Sequence, residues 1–141
     1  MASMCLDEGE EIVFVDIKLV HKIHQIALRE GGLAGSLKIA DIESALGRPQ
    51  NAHLYNGERD LITLAAYLWH GVSSAHGYCD ANKRTALLTA IAFLEANGVE
   101  IDENVDSKEP GRFVLEQYKS KTFEIPILDK YLRPRCRWIQ E

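Results

Sequence analysis

The chain has 141 residues, close to the commonest length of a protein domain, so one folded unit around one core is expected. With 46% hydrophobic and 26% charged residues, its composition is that of a globular protein, which excludes extensive disorder. The formal net charge of −5 argues against direct nucleic-acid binding, which needs many cations to neutralise phosphates.

The N-terminal part is predicted to hold a tail and one helix. Residues 1–11 are acidic and show no apolar periodicity, so we expect a loose tail there, ahead of one domain over residues 12–141. Asp16 is placed to cap a first helix, whose apolar residues recur every three to four positions. Gly31 and Gly32 mark the expected end of this helix.

Two more helices are predicted before the middle of the chain. A short one covers residues 39–46, because the following Gly-Arg-Pro at 47–49 is a typical helix stop, and residues up to Gly57 are predicted to form a loop. Asp60 is expected to cap a third helix that extends to about Ala75.

The fourth helix is predicted from Ala81 to the Asn-Gly pair at 97–98. Few residues between Thr85 and Leu94 are polar, so this helix should be buried on most sides and form the centre of the fold. The elements expected after it are a short extended piece at 99–101, a helix from Pro110 to about Tyr118, another from about Thr122 that Pro134 ends, and a tail or edge segment over 135–141.

The predicted fold class is therefore all-α. The helices should pack as a single-domain bundle around the buried fourth helix, with at most a minor short β element. The three cysteines lie far apart without a CxxC pair, so neither a zinc site nor a disulfide framework is indicated. No window approaches the roughly 18 apolar residues of a membrane span, and a secretory signal is missing, so we expect a cytoplasmic protein without a membrane partner.

Titratable and cationic residues concentrate between the third and fourth helices, in the stretch 76–84 with the sequence HGYCDANKR. The first backbone N–H groups of a helix lack intrahelical partners and carry the positive end of its dipole, so they can hold a phosphate. Lys83 and Arg84 lie in that first turn. Two cations there are unfavourable to the dipole, which makes sense if an anion binds in front of them.

Two other side chains add what group transfer needs. Asp80 stands at the cap position, where its carboxylate can accept a backbone N–H or bind Mg²⁺ that bridges phosphate oxygens, and these two uses compete. His76 carries an imidazole, the side chain suited to taking a proton from a hydroxyl near neutral pH. The stretch thus supplies a base, a metal ligand, cations and oriented amides for phosphoryl or nucleotidyl transfer.

The stretch resembles the motif of the Fic/Doc family, in which a histidine leads an aromatic residue, an acid, a small residue, asparagine and basic residues. The resemblance extends over about residues 12–102. Tyr78 stands where the family has phenylalanine, and we expect neither it nor Cys79 to be catalytic. What the resemblance implies is ATP as nucleotide, His76 as catalytic base, Asp80 as Mg²⁺ ligand, and Ala81, Asn82, Lys83 and Arg84 as phosphate-binding or nucleotide-binding residues.

Lys83 makes the chain more similar to the Doc branch of the family than to the Fic branch. The usual Fic motif has glycine at this position, which leaves room for the inner phosphates and permits adenylyl transfer, whereas Doc has lysine and is a kinase. By resemblance, the chain is expected to be a death-on-curing (Doc) toxin that transfers the terminal phosphoryl group of ATP to a Ser or Thr hydroxyl. The implied target is elongation factor Tu, so translation would be arrested.

Two other functions remain open: a Fic-type protein adenylyltransferase, and a non-catalytic binding module with the same fold. Many Fic proteins carry an inhibitory helix, but the nearest match here has Ile26 where a Ser or Thr belongs. By resemblance to Doc-like toxins, a separate antitoxin peptide is the expected regulator. Away from the motif, His21 and His24 lack a third metal ligand and are interpreted as surface histidines, while His53 and His70 have no partner evident in the sequence.

Overall fold

The computed structural model describes residues 3–29, 39–76, 80–102 and 109–140. Within those ranges the chain forms α-helices joined by short connections, together with two short strands. In chain order the elements are α1 (Ile17–Arg29), α2 (Ile39–Asn56), α3 (Leu61–His76), α4 (Asp80–Ala96), β1 (Val99–Ile101), α5 (Glu109–Ser120), α6 (Ile125–Leu132), a 3₁₀ turn (Arg133–Arg135) and β2 (Cys136–Trp138).

The prediction of an all-α fold with a minor β element is confirmed. α3 and α4 pack against each other at the centre, with α2 and α6 on α3 and with α1 on α4. β1 and β2 pair antiparallel, with Val99 opposite Trp138, so the C-terminal segment returns to the end of α4. Among the described residues, no helix is both long enough and apolar enough to cross a membrane.

α4 is enclosed as its apolar composition predicts. No residue from 83 to 94 is exposed, and Phe93 and Leu94 belong to the core. Two threonines of this helix are fully buried, and Thr89 Oγ1 donates to the backbone oxygen of Thr85 at 2.7 Å. A buried hydroxyl needs such a partner, because leaving it unsatisfied costs about 1–3 kcal/mol. The start of α4 is therefore built on a rigid, central element.

Both predicted caps are present. Asp16 Oδ1 accepts the Leu19 N–H at 3.0 Å at the start of α1. At the start of α3, Asp60 Oδ1 accepts the N–H groups of Ile62 and Thr63 at 2.9 and 3.2 Å. The Gly31-Gly32 pair that was expected to end α1 lies outside the described residues.

The prediction for α2 is wrong: the helix does not stop at residue 46 but continues through Pro49 to Asn56. Proline inside a helix removes one backbone hydrogen bond and crowds the preceding turn. Burial offsets this cost, since Ala45, Leu46 and Ala52 are all in the core. Gly71 lets α3 approach closely, because a Cβ at that position would lie 3.2 Å from the Cβ of Ala45. Tertiary packing thus overrides a local stop signal.

Part of the N-terminal segment is docked rather than loose. Met4 is only 8% exposed, its N–H donates to Asp60 Oδ2 at 3.1 Å, and its carbonyl oxygen accepts the Leu61 N–H at 2.8 Å. These hydrogen bonds attach the segment to the first turn of α3. The prediction of a loose tail therefore does not apply to Met4. The domain limits themselves stay a prediction.

Candidate active site

The predicted site lies where α3 ends and α4 begins. His76 is the last residue of α3, whereas it was expected in the loop directly after this helix. Asp80 is the first residue of α4. Residues 77–79, which include Tyr78 and Cys79, lie outside the described part of the chain. Because α3 and α4 pack against each other, the connection joins two elements of the rigid core.

The predicted phosphate cradle lies in the first turn of α4. Asp80, Ala81 and Asn82 occupy the N-terminal turn, whose backbone N–H groups have no partner within the helix. The structure describes the backbone there but not the side chains of His76, Asp80, Ala81 and Asn82, so the roles of these four side chains stay predictions. The metal role of Asp80 is among them.

The two predicted cations follow in the same turn. Lys83 and Arg84 are both half-buried, which places two positive charges against the N-terminal end of a buried helix. The Lys83 ammonium lies 5.1 Å from the centroid of the Tyr118 ring on α5. That distance is within the range of a cation–π interaction. The start of α4 therefore combines backbone N–H groups that lack intrahelical partners with two cations, an arrangement suited to an anion.

α1 contacts α4 at Thr85, the residue that follows these two cations. His24 is only 6% exposed, and its Nδ1 lies 3.3 Å from the Oγ1 of Thr85. The interpretation of His24 as a surface histidine is thus wrong. The face of α1 that packs on α4 includes His24, so its imidazole is buried, and the Thr85 hydroxyl is its hydrogen-bond partner.

His53 and His70 also have structural contacts. His53 Nδ1 lies 2.8 Å from the carbonyl oxygen of Glu58, just after the end of α2. The His70 ring stacks on Phe123, with centroids 5.5 Å apart. Burial, followed by the charge of Arg48, lowers the pKa of His70, so its neutral form is favoured. Neither side chain belongs to the 76–84 stretch.

Tyr118 makes a contact with Lys83 that the sequence does not predict. It lies on α5, far along the chain from Lys83, and a single tyrosine in an amphipathic helix gives no signal of such a contact. Only the packing of α5 on α4 brings the two residues together.

A cleft between α2 and α3 lies apart from the predicted site. The cleft has a volume of about 350 Å³, and none of its lining residues belongs to the 76–84 stretch. In the part of the chain that the structure describes, no group of three or more His, Cys, Asp or Glu side chains is placed to hold a metal ion. The residues lining the cleft are Arg48, Asn51, Ala52, Tyr55, Asn56, Tyr67, His70 and Ile125.

Comparison with known proteins assigns the family. Residues 14–94 match the sequence model of the Fic/DOC family, a range that includes the whole 76–84 stretch. The chain belongs to the Fic/DOC family. Over 73 residues it is 38% identical to the protein named "Protein kinase doc" of Escherichia phage P1. This match covers 52% of the chain and 58% of that relative, so it spans just over half of each protein.

The family match also divides the structure into two parts. α1 to α3 and nearly all of α4 lie in the matched range, close to the extent that the sequence resemblance predicted. β1, α5, α6 and β2 lie beyond it, and so does Tyr118. The motif residue Lys83 is thus contacted by an element that lies outside the matched residues.

Proposed function

We propose that the chain is a Doc-like toxin that transfers the terminal phosphoryl group of ATP to a hydroxyl group of a protein. The observation that carries this proposal is the start of α4, where Lys83 and Arg84 lie in the first turn of the helix that follows the one ending at His76. The membership of the Fic/DOC family and the similarity to the phage P1 kinase support it. Lysine at position 83, instead of glycine, favours the phosphoryl group over the adenylyl group.

The residues have distinct roles in the proposed reaction. His76 takes the proton of the acceptor hydroxyl, whose oxygen forms a bond to the terminal phosphorus of ATP while the bond to the bridging oxygen breaks and ADP leaves. Lys83, Arg84 and the N–H groups of the first turn of α4 hold the transferred group and the charge that develops on it. Because these donors belong to a buried helix, they need little reorganisation during the reaction.

Asp80 fits the expected magnesium ion by its chemistry. A carboxylate at the start of α4 is a hard oxygen donor, and Mg²⁺ in such sites is held by one or two carboxylates together with phosphate oxygens and water. When bound, the ion neutralises phosphate charge. Asp80→Asn tests this ligand role, because the loss of a carboxylate ligand should raise the magnesium concentration needed for half-maximal activity.

The acceptor and the regulator are part of the same proposal. By resemblance, the acceptor is a threonine of elongation factor Tu, so that phosphorylation arrests translation, and the regulator is an antitoxin peptide that folds onto the toxin. Both follow from the family and not from a surface of this structure.

The position of a radioactive label in ATP tests the proposed reaction. The purified chain is incubated with magnesium, elongation factor Tu and ATP labelled on either the γ-phosphate or the α-phosphate. We expect label in the protein from γ-labelled ATP alone, and its loss in His76→Ala. His21→Ala, which changes a histidine of α1 outside the motif, is the matched control.

Each other outcome identifies a different function. Incorporation from α-labelled ATP would show an adenylyltransferase instead of a kinase. If neither label is incorporated in a whole-cell extract, and cells expressing the chain are harmed equally with His76→Ala, the chain acts as a non-catalytic binding module.

A further inference from the structure

Tyr118 contacts both helices that carry the motif. On one side, the Lys83 ammonium of α4 lies 5.1 Å from the centre of its ring. On the other side, its hydroxyl lies 2.7 Å from the Oγ of Ser73 on α3, three residues before His76. A single side chain of α5 thus links the helix that ends in the proposed base to the helix that begins with the proposed phosphate cradle.

The Tyr118 ring is itself held in a fixed orientation. It stacks on Phe123, with centroids 4.5 Å apart and planes 13° from parallel. Phe123 in turn meets the fully buried Trp69 of α3 edge to face, with centroids 6.2 Å apart. Because the ring is fixed by stacking and by the hydrogen bond to Ser73, it can position a flexible neighbour.

A ring is a suitable partner for a lysine that must also meet a phosphate. Lysine has a flexible four-carbon stem, and its ammonium adopts no single position unless something holds it. A carboxylate partner would hold the ammonium but would also oppose the approach of an anion. The face of a tyrosine ring attracts the ammonium through its quadrupole and adds no negative charge, so the ammonium keeps its charge for a phosphate.

We propose that Tyr118 is a positioning residue that holds Lys83 at the start of α4 and thereby favours transfer of the terminal phosphoryl group over the adenylyl group. This inference rests on the proposed function, because it assigns Tyr118 a role in the selection made by Lys83. Tyr118 lies outside the residues that match the family model, so this determinant belongs to the C-terminal part of the chain.

The first experiment measures the contact without any reaction. Lysines of the full chain are labelled by reductive ¹³C-methylation, which preserves their positive charge, and the Lys83 signal is assigned by its loss in Lys83→Arg. We expect this signal to be shifted upfield by the ring, away from the signals of the exposed Lys119 and Lys121. The shift should persist in Tyr118→Phe, which keeps the ring, and vanish in Tyr118→Leu.

The second experiment separates positioning from a general structural effect. Phosphoryl and adenylyl transfer are measured for Tyr118→Leu and Tyr118→Phe, each in the unaltered chain and in Lys83→Ala. We expect Tyr118→Leu to lower the ratio of phosphoryl to adenylyl transfer about five-fold, the size of a typical cation–π contribution. In Lys83→Ala the same change should have no further effect on the ratio, because the residue through which Tyr118 acts is gone.

The outcomes distinguish this inference from the proposed function. A Lys83 signal that coincides with those of Lys119 and Lys121 in the unaltered chain overturns the inference, even if Tyr118→Leu does not fold. An equal effect of Tyr118→Leu in both backgrounds overturns it as well, since a structural role alone would give that result. Incorporation from α-labelled ATP alone by the unaltered chain contradicts both the proposed kinase activity and this inference, whereas the failure of the inference alone leaves phosphoryl transfer intact.

Discussion

α3 and α4 are adjacent central helices whose N-termini differ in the charges around them. At α3, the Asp60 carboxylate caps two backbone N–H groups and pairs with Arg133, whose two terminal nitrogens lie 2.9 and 3.0 Å from the carboxylate oxygens. At α4, the first turn carries Lys83 and Arg84. The Asp60 carboxylate thus caps the positive end of α3, whereas the first turn of α4 combines one carboxylate, Asp80, with two cations.

This difference is expected if the start of α3 is structural and the start of α4 binds the proposed phosphate. Both helices need a negative group near their first N–H groups, because these groups carry the positive end of the dipole. In α3 a buried carboxylate fills this need and also binds the N-terminal segment through the Met4 N–H. In α4 two cations outnumber the one carboxylate of the first turn, as expected if this helix start binds the proposed phosphate. Substitutions at α3 should therefore affect stability, and substitutions at α4 should affect the reaction.

The largest effect on stability is expected from Asp60→Ala. This change removes the cap of α3 and takes the Asp60 carboxylate from the Arg133 guanidinium, which is only 14% exposed. Breaking a buried pair from one side costs about 3–5 kcal/mol, and we expect a loss near the lower end because Asp129 still contacts Arg133. Urea unfolding measures it.

The control for Asp60→Ala is an ion pair at the surface. Glu100 and Arg137 are bonded at 3.0 Å but are 34% and 54% exposed, so Glu100→Ala should lower the free energy of unfolding by less than about 1 kcal/mol. Equal losses for the two variants would contradict the structural role assigned to Asp60.

A change in product is expected from Lys83→Gly at the other N-terminus. Removing the lysine side chain opens the space that it fills, so adenylyl transfer should appear, while phosphoryl transfer falls about ten-fold with the loss of a charged hydrogen bond. Lys83→Ala is the control for helix propensity, since glycine within a helix costs about 1 kcal/mol more than alanine. The α and γ labels of ATP measure both products. An unchanged product in Lys83→Gly would mean that this residue does not select the transferred group.

Acid should weaken the start of α3 by a smaller amount. Burial alone would raise the pKa of Asp60, but hydrogen bonds from Arg133 and from the backbone N–H groups of Met4 and Thr63 outweigh it and hold this pKa below its ordinary value. The stabilisation by the carboxylate is therefore complete above the unfolded pKa of about 4 and is lost as the pH falls through the lower, folded pKa.

Unfolding followed from pH 7 into the acid range checks this linkage. The free energy of unfolding should fall below a pH of about 4, and Asp60→Asn, which cannot titrate there, should flatten that part of the curve. An identical acid dependence in the variant would place the responsible carboxylate elsewhere.

The sequence predicts local features better than long-range contacts. The caps at Asp16 and Asp60 are confirmed, since a cap depends on residues within one turn. The helix stop at Pro49 is wrong, because burial of the residues around it against α3 outweighs the local cost of proline. The fold class follows from helical periodicity, which needs no knowledge of partners.

The candidate site shows the same division. The 76–84 stretch carries its proposed base, carboxylate and cations within nine residues, so this chemistry can be predicted from the sequence, and the family match includes the stretch. The contacts of Lys83 with Tyr118 and of Asp60 with Arg133 join distant parts of the chain. Sequence periodicity and motifs describe residues that are close in the chain, so only the packed structure identifies such distant pairs.

The most direct test of the proposed phosphate site is a nuclear magnetic resonance titration of the backbone amides. A non-hydrolysable ATP analogue is added with magnesium to the ¹⁵N-labelled chain. We expect the amides of residues 80–84 to shift in a saturable manner, while those of residues 61–64 at the start of α3 stay unchanged because Asp60 already caps them. Saturable binding without shifts at residues 80–84, or equal shifts at both helix starts, would contradict the assignment of α4 as the phosphate-binding helix.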